Sequence, residues 1–137
     1  MTSQSGGAWL LGDTSPGAVF TPEDRNDEHR MIASTAHAFI EQEVIPQRDA
    51  LEAKDWAVAR RLMRQCGELG LLGVDVPEEY GGVGLDTVSS VLVSEAMGRH
   101  ASFATTAGAH LGLCIVPILW FGTEAQRAAY LPRLTSG

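Results

Sequence analysis

The chain has 137 residues, 45% of them apolar and 20% charged, which is the composition of one compact globular domain rather than a disordered segment. Its 17 acidic against 10 basic residues give a formal charge of -7, which excludes the basic surface that nucleic acid needs. No apolar run reads as approaching the roughly 20 residues of a membrane helix, so no integral membrane segment is expected.

Residues 1–17 are rich in Ser, Gly and Thr around an apolar patch at 8–11, so 1–19 reads as a loose tail until Trp9 and Leu10 find a surface. No basic residue precedes Arg25, and the two cysteines, Cys66 and Cys114, lack disulfide or zinc spacing, so a reducing, cytoplasmic setting is expected. Thr21-Pro22-Glu23-Asp24 combines a capping threonine, a proline at the first helical position and an acid at the third, which predicts a helix start. Ile32, Ala36, Phe39, Ile40 and Val44 then recur at helical spacing until Pro46 stops the pattern. A second helix is predicted over 55–69, with Val58, Leu62, Cys66 and Leu69 on one face and Gly70 as its C-terminal cap. Pro77 to Gly84 forms the one long irregular connection. Asp86 caps a third helix carrying Val88, Val91, Leu92, Glu95 and Ala96 up to Gly98. Ser102 caps a fourth, rich in small residues, which Gly112 and Pro117 should kink or split. Gly122 ends that piece, and Thr123-Glu124-Ala125-Gln126 is a capping box for a last helix through Tyr130 and Leu134. No stretch alternates as a strand does, so the predicted fold is an all-α helical bundle.

Few residues suggest chemistry on their own. His29, His37, His100 and His110 lack the spacing that aims two imidazoles at one metal, so each reads as surface or core. Cys114, between Leu113 and Ile115, and Cys66, on an apolar stripe, read as inert thiols. The Gly81-Gly82-Val83-Gly84 run has no preceding strand and no following Lys-Ser/Thr, which favours a structural loop with positive φ angles over an anion cradle. Glu78 and Glu79 are adjacent and read as solvated, as do Arg60, Arg61 and Arg64 on the outer face of their helix. Glu95 falls on the apolar side of the third helix and therefore needs an Arg, a backbone N–H or another domain. The Thr, Gly and Ala of 102–113 serve either close helix packing or a ligand groove, and spacing alone favours close packing.

Several segments in order carry a resemblance. Leu69-Gly70-Leu71-Leu72-Gly73-Val74, Pro77-Glu78-Glu79-Tyr80-Gly81-Gly82-Val83-Gly84, Glu95, Phe121-Gly122-Thr123-Glu124-Ala125-Gln126 and Tyr130-Leu131-Pro132-Arg133-Leu134-Thr135-Ser136-Gly137 resemble the N-terminal α-helical domain of acyl-CoA dehydrogenases, over 20–137. Gly108-Ala109-His110 followed by Leu119-Trp120-Phe121-Gly122 is most similar to the very-long-chain branch. The resemblance implies a parent enzyme with a following β domain and second helical domain, FAD between those two, and the catalytic glutamate in the last. The sequence ends at Gly137, ahead of the family's Thr-Glu-Pro-x-x-Gly-Ser-Asp flavin segment, so no residue here is expected to be catalytic or to bind FAD. What the family does place here is the distal wall of the acyl pocket, at Thr105, Thr106, Ala109 and Leu113, and this reverses the preference for close packing. A fatty acyl-CoA substrate, an electron-transfer acceptor and a homo-oligomeric parent are implied with it. Leu71, Leu72, Val74, Val83 and Leu85 are expected to offer the β domain an apolar surface. The competing reading is a free-standing helical adaptor or acyl-binding module without redox activity.

Overall fold

A computed structural model describes residues 11, 12, 15, 17 and 19–137; the patch bearing Trp9 and Leu10 lies outside the described residues. Among the described residues seven α-helices run in chain order as α1 (Asp27–Phe39), α2 (Arg48–Glu52), α3 (Trp56–Glu68), α4 (Thr87–Met97), α5 (Ala101–Ala109), α6 (Val116–Phe121) and α7 (Glu124–Thr135). Among the described residues there is no strand, and the bundle is all-α as its patterning predicts.

The starts of α1, α3, α4, α5 and α7 follow side-chain caps, with two corrections to the expected capping residues. Asp55 Oδ1 accepts from the N–H groups of Ala57 and Val58 to open α3, and Thr123 with Gln126 closes its reciprocal box on α7. The first helix does not start at Thr21. Thr21 and Asp24 satisfy each other within a single 3-10 turn, Pro22–Asp24, the backbone at Arg25 turns extended, and α1 begins only after Asn26, whose Oδ1 accepts from His29 N–H at 2.7 Å. At α5 the cap is the ring of His100, whose Nδ1 accepts from Phe103 N–H at 3.3 Å, and not Ser102.

Neither proline breaks its helix. Past α1 the chain widens into a π turn at Ile40–Val44, then a 3-10 turn at Ile45–Gln47 with Pro46 in its first positions, where a missing N–H is harmless. Likewise α5 continues through a π segment, His110–Ile115, into α6 with Pro117 in its first turn. Ala101–Phe121 is therefore one run of 21 helical residues, long and apolar enough by length and composition to cross a bilayer. That corrects the expectation that no run reaches this length; its scattered Thr, Gly and His residues had masked the absence of any Asp, Glu, Lys or Arg.

The core gathers Phe39, Ile40 and Val44 of the first helical run, Leu62 and Cys66 of α3, and Leu92, Val93, Ala96 and Met97 of α4. Phe103 of α5 tilts against Phe39 with ring centroids 5.9 Å apart. The buried face of α4 is thus turned away from Val91 and Glu95, both exposed. Glu95 is exposed rather than buried, and it lies 4.0 Å from Arg25, one of the partners expected for it. Of the five residues expected to form an apolar surface, Leu71, Leu72 and Val74 are core residues with at most 2% exposure, Leu85 packs partly buried against that core, and Val83 is exposed as expected. Leu113, Trp120, Phe121 and Tyr130 are exposed apolar side chains as well.

Candidate functional site

An open groove of about 570 Å³ runs between α3 and the α5 run. Arg60, Met63 and Arg64 line it from one side, Thr106, Ala109, His110, Leu113 and Cys114 from the other, with Gly137 beside them. Three of the four predicted pocket residues, Thr106, Ala109 and Leu113, are brought together here, as their i, i+3, i+7 spacing requires. Thr105 is not on the groove; it is exposed, one residue's rotation away, with Oγ1 donating to Ala101 O at 2.9 Å. The Thr106 hydroxyl likewise donates within its helix, to Ser102 O at 3.2 Å, leaving a mainly apolar wall.

His110, Met63 and Cys114 were not identified from sequence as lining residues. His110 could have been, standing four residues from Thr106; Met63 reaches the groove only through tertiary packing. The His110 Nε2–H donates to Leu134 O at 2.7 Å, which anchors the π segment to α7. Cys114 is exposed on the groove, against the expectation of a shielded thiol, whereas Cys66 is fully buried and burial pushes its thiol up to about 12.

On its other side the α5 run, with α4, encloses a smaller apolar cavity of about 240 Å³ that includes Gly108 and Gly112. A Cβ added at either glycine would meet no atom within 4 Å. Close helix approach is therefore not why these positions are small, and the small-residue helix leaves open space on both flanks.

The glycine loop is structural. Gly81 and Gly84 hold φ angles of 80° and 71°, and a Cβ on Gly82 would collide with the Val76 carbonyl. The N–H groups of Gly81, Gly82, Val83, Gly84 and Leu85 donate to the carbonyls of Glu78, Pro77, Gly73, Val76 and Val74 in turn, so none is left to cradle an anion. Tyr80 fixes this loop to α7, its hydroxyl donating to Glu124 at 2.7 Å, and that carboxylate holds the phenol above its ordinary range. Glu78 and Glu79 are exposed. At the other end of the bundle, buried His29 accepts from Asn26 N–H at Nδ1 and donates from Nε2 to Asp86 Oδ2 at 2.9 Å. Burial would raise the Asp86 carboxyl, but hydrogen bonds from Ser89 N–H, His29 and the Ser89 hydroxyl outweigh it and hold the group below its ordinary value. Among the described residues no three His, Cys, Asp or Glu converge as a metal site.

The family described as acyl-CoA dehydrogenase, N-terminal domain, matches residues 26–137. A probable acyl-CoA dehydrogenase of Bacillus subtilis is 49% identical over 98% of this chain and 23% of its own length. The mitochondrial isovaleryl-CoA dehydrogenase of Bos taurus is 35% identical over 82% of this chain and 27% of its own. An acyl-CoA dehydrogenase of Bacillus anthracis solved in complex with FAD superposes with a TM-score of 0.92 at 48% identity, covering 98% of this chain and 23% of that one. The chain thus spans about a quarter of the length of the relatives it matches.

Proposed function

The chain belongs to the acyl-CoA dehydrogenase family, as its N-terminal domain, and on that premise we propose that it forms the helical wall of the acyl pocket in an FAD-dependent acyl-CoA dehydrogenase. The observation that carries this is the convergence of Thr106, Ala109 and Leu113 on one apolar groove of about 570 Å³, within the size of small-ligand sites. The α,β-dehydrogenation proposed for the parent needs a base for the α-proton and a hydride acceptor for the β-hydrogen, and bound flavin supplies the latter. The described residues hold neither: the glycine-loop N–H groups are all used internally, and no carboxylate lines the groove. In this reading the rest of the parent holds the flavin, and this domain's work is to bury the chain, exclude water and hold the thioester in register.

Each buried methylene contributes about 0.8 kcal/mol, so chain-length preference follows from how far the wall stays open. The small side chain of Ala109 on the groove supports longer chains, as the very-long-chain reading holds; the isovaleryl-CoA enzyme among the relatives does not single out that branch. An acyl-CoA substrate, an electron-transfer partner and a homo-oligomeric parent belong to the same proposal, the last supported by exposed Trp120 and Phe121. So does a cytoplasmic location, supported by two free thiols. The test is Ala109→Gln in the enzyme carrying this domain, with kcat/KM measured across saturated acyl-CoA chain lengths. Loss of two or three buried methylenes corresponds to about 1.6–2.4 kcal/mol, a fifteen- to sixty-fold drop confined to long substrates, by the same arithmetic. An optimum that does not move refutes the wall.

A further inference from the structure

We propose that Trp9 and Leu10, of the chain's own N-terminal tail, dock in a groove between the residues just before α1 and the outer face of α4, apart from the acyl wall. The groove, of about 290 Å³, is lined by Phe20, Pro22 and Arg25 on one side and by Thr87, Val88 and Val91 on the other. Its apolar lining lies open, with Phe20 52% and Val91 60% exposed. The Phe20 wall is set in advance, because its ring meets that of buried His29 edge to face, with centroids 5.9 Å apart and planes at 86°. His29 is in turn held between Asn26 N–H and Asp86, so both walls of the groove hang on one hydrogen-bonded junction.

The occupant follows from where the tail joins the fold. Phe20 lines the groove and directly continues residues 1–19, so whatever those residues carry is tethered to its rim. Phe20 lies eleven residues on from Trp9, a span of at most about 36–40 Å, which is ample for turning back over a groove of this size, and Gly12, Pro16 and Gly17 suit the reversal. A tether this short holds its cargo at an effective concentration on the order of millimolar. Trp9 is the one aromatic residue ahead of Phe20, inside the apolar run at 8–11 of a tail otherwise rich in Ser, Gly and Thr. Leu11, which closes that run, is 93% exposed, so cover for the run comes through Trp9 and Leu10. An indole has the flat apolar bulk that such a groove takes, and Arg25 supplies a cation for its ring face.

The experiment uses the enzyme that carries this domain, with Ala8→Cys and Thr87→Cys introduced together; Thr87 is exposed on the groove, so its replacement leaves the core untouched. Under mild oxidation a disulfide between positions 8 and 87 should form within one chain, read as linked peptides by mass spectrometry. Adding Trp9→Ser should slow its formation about tenfold, whereas Trp9→Phe should keep most of the rate. Val91→Asp, at an exposed position, should slow it as Trp9→Ser does. A rate indifferent to Trp9→Ser, as a tether passing at random would give, overturns the proposal, and so does a rate that Trp9→Ser lowers but Val91→Asp does not. Links between two chains would make the occupant a second copy, and capture of position 8 by a cysteine elsewhere in the enzyme would give the tail to another surface. Either result, or no link at all, removes the docked tail.

Discussion

Asp86 closes two junctions at once, and its removal should cost more than a helix cap. Its carboxylate accepts from Ser89 N–H at 2.9 Å, opening α4, and from Nε2 of His29, whose side chain is only 4% exposed. Asp86→Ala loses the cap, about 1 kcal/mol, and leaves the His29 ring N–H buried without an acceptor, about 1–3 kcal/mol more. The expected destabilisation is about 2–4 kcal/mol, read from urea titration at neutral pH. In a His29→Ala background no ring is left to orphan, so the same substitution should cost only the cap, giving a coupling of about 1–3 kcal/mol between the sites. Equal costs in both backgrounds would refute the shared junction. The acid limb supplies a second check. A carboxyl held below its unfolded value contributes stability that is present above about pH 4 and is lost as pH falls through the lower folded value. The Asp86→Ala protein should therefore lose less stability than wild type on acidification.

Two further expectations concern glycines and thiols. Gly82→Ala should destabilise by about 1–3 kcal/mol or more because its Cβ meets the Val76 backbone, whereas Gly108→Ala, with open space and better helix propensity, should be neutral or stabilising by up to about 1 kcal/mol; thermal melts of both decide, and equal shifts would contradict the packing. A thiol reagent near pH 8 should modify one cysteine quickly, the exposed Cys114, and reach Cys66 only on unfolding, since burial both covers that thiol and holds it protonated. Two fast equivalents would contradict the burial of Cys66.

The caps at Asp86 and Thr123 were legible because a cap is a local arrangement between one side chain and N–H groups two or three residues on. His100 was missed because ring nitrogens are not among the preferred capping groups, although Nδ1 can accept as a carboxylate does. The α4 face was misjudged for a different reason. Val88, Val91, Leu92, Val93, Ala96 and Met97 put apolar groups on most sides of that helix, so periodicity cannot say which side α1 will cover. The π turns escaped because a widened turn carries no residue signature; it is what the helix does when packing continues past a proline or glycine.

The small residues of α5 show how a site can be half written in a sequence. Thr106, Ala109 and Leu113 share a face by spacing alone, and the sequence carries that much. Whether the face is tight or open depends on what stands across from it. A Cβ on Gly67 would strike the backbone of Ser136, and one on Gly82 that of Val76, so those glycines exist for close approach. One on Gly108 or Gly112 would meet nothing within 4 Å, so the same residue type there leaves room instead. The difference lies entirely in the opposing element, and for the groove that element is α3, more than 40 residues earlier. Met63 and the two arginines therefore enter the site only by folding, and it is they, not the small-residue face, that give the groove its depth and its charge.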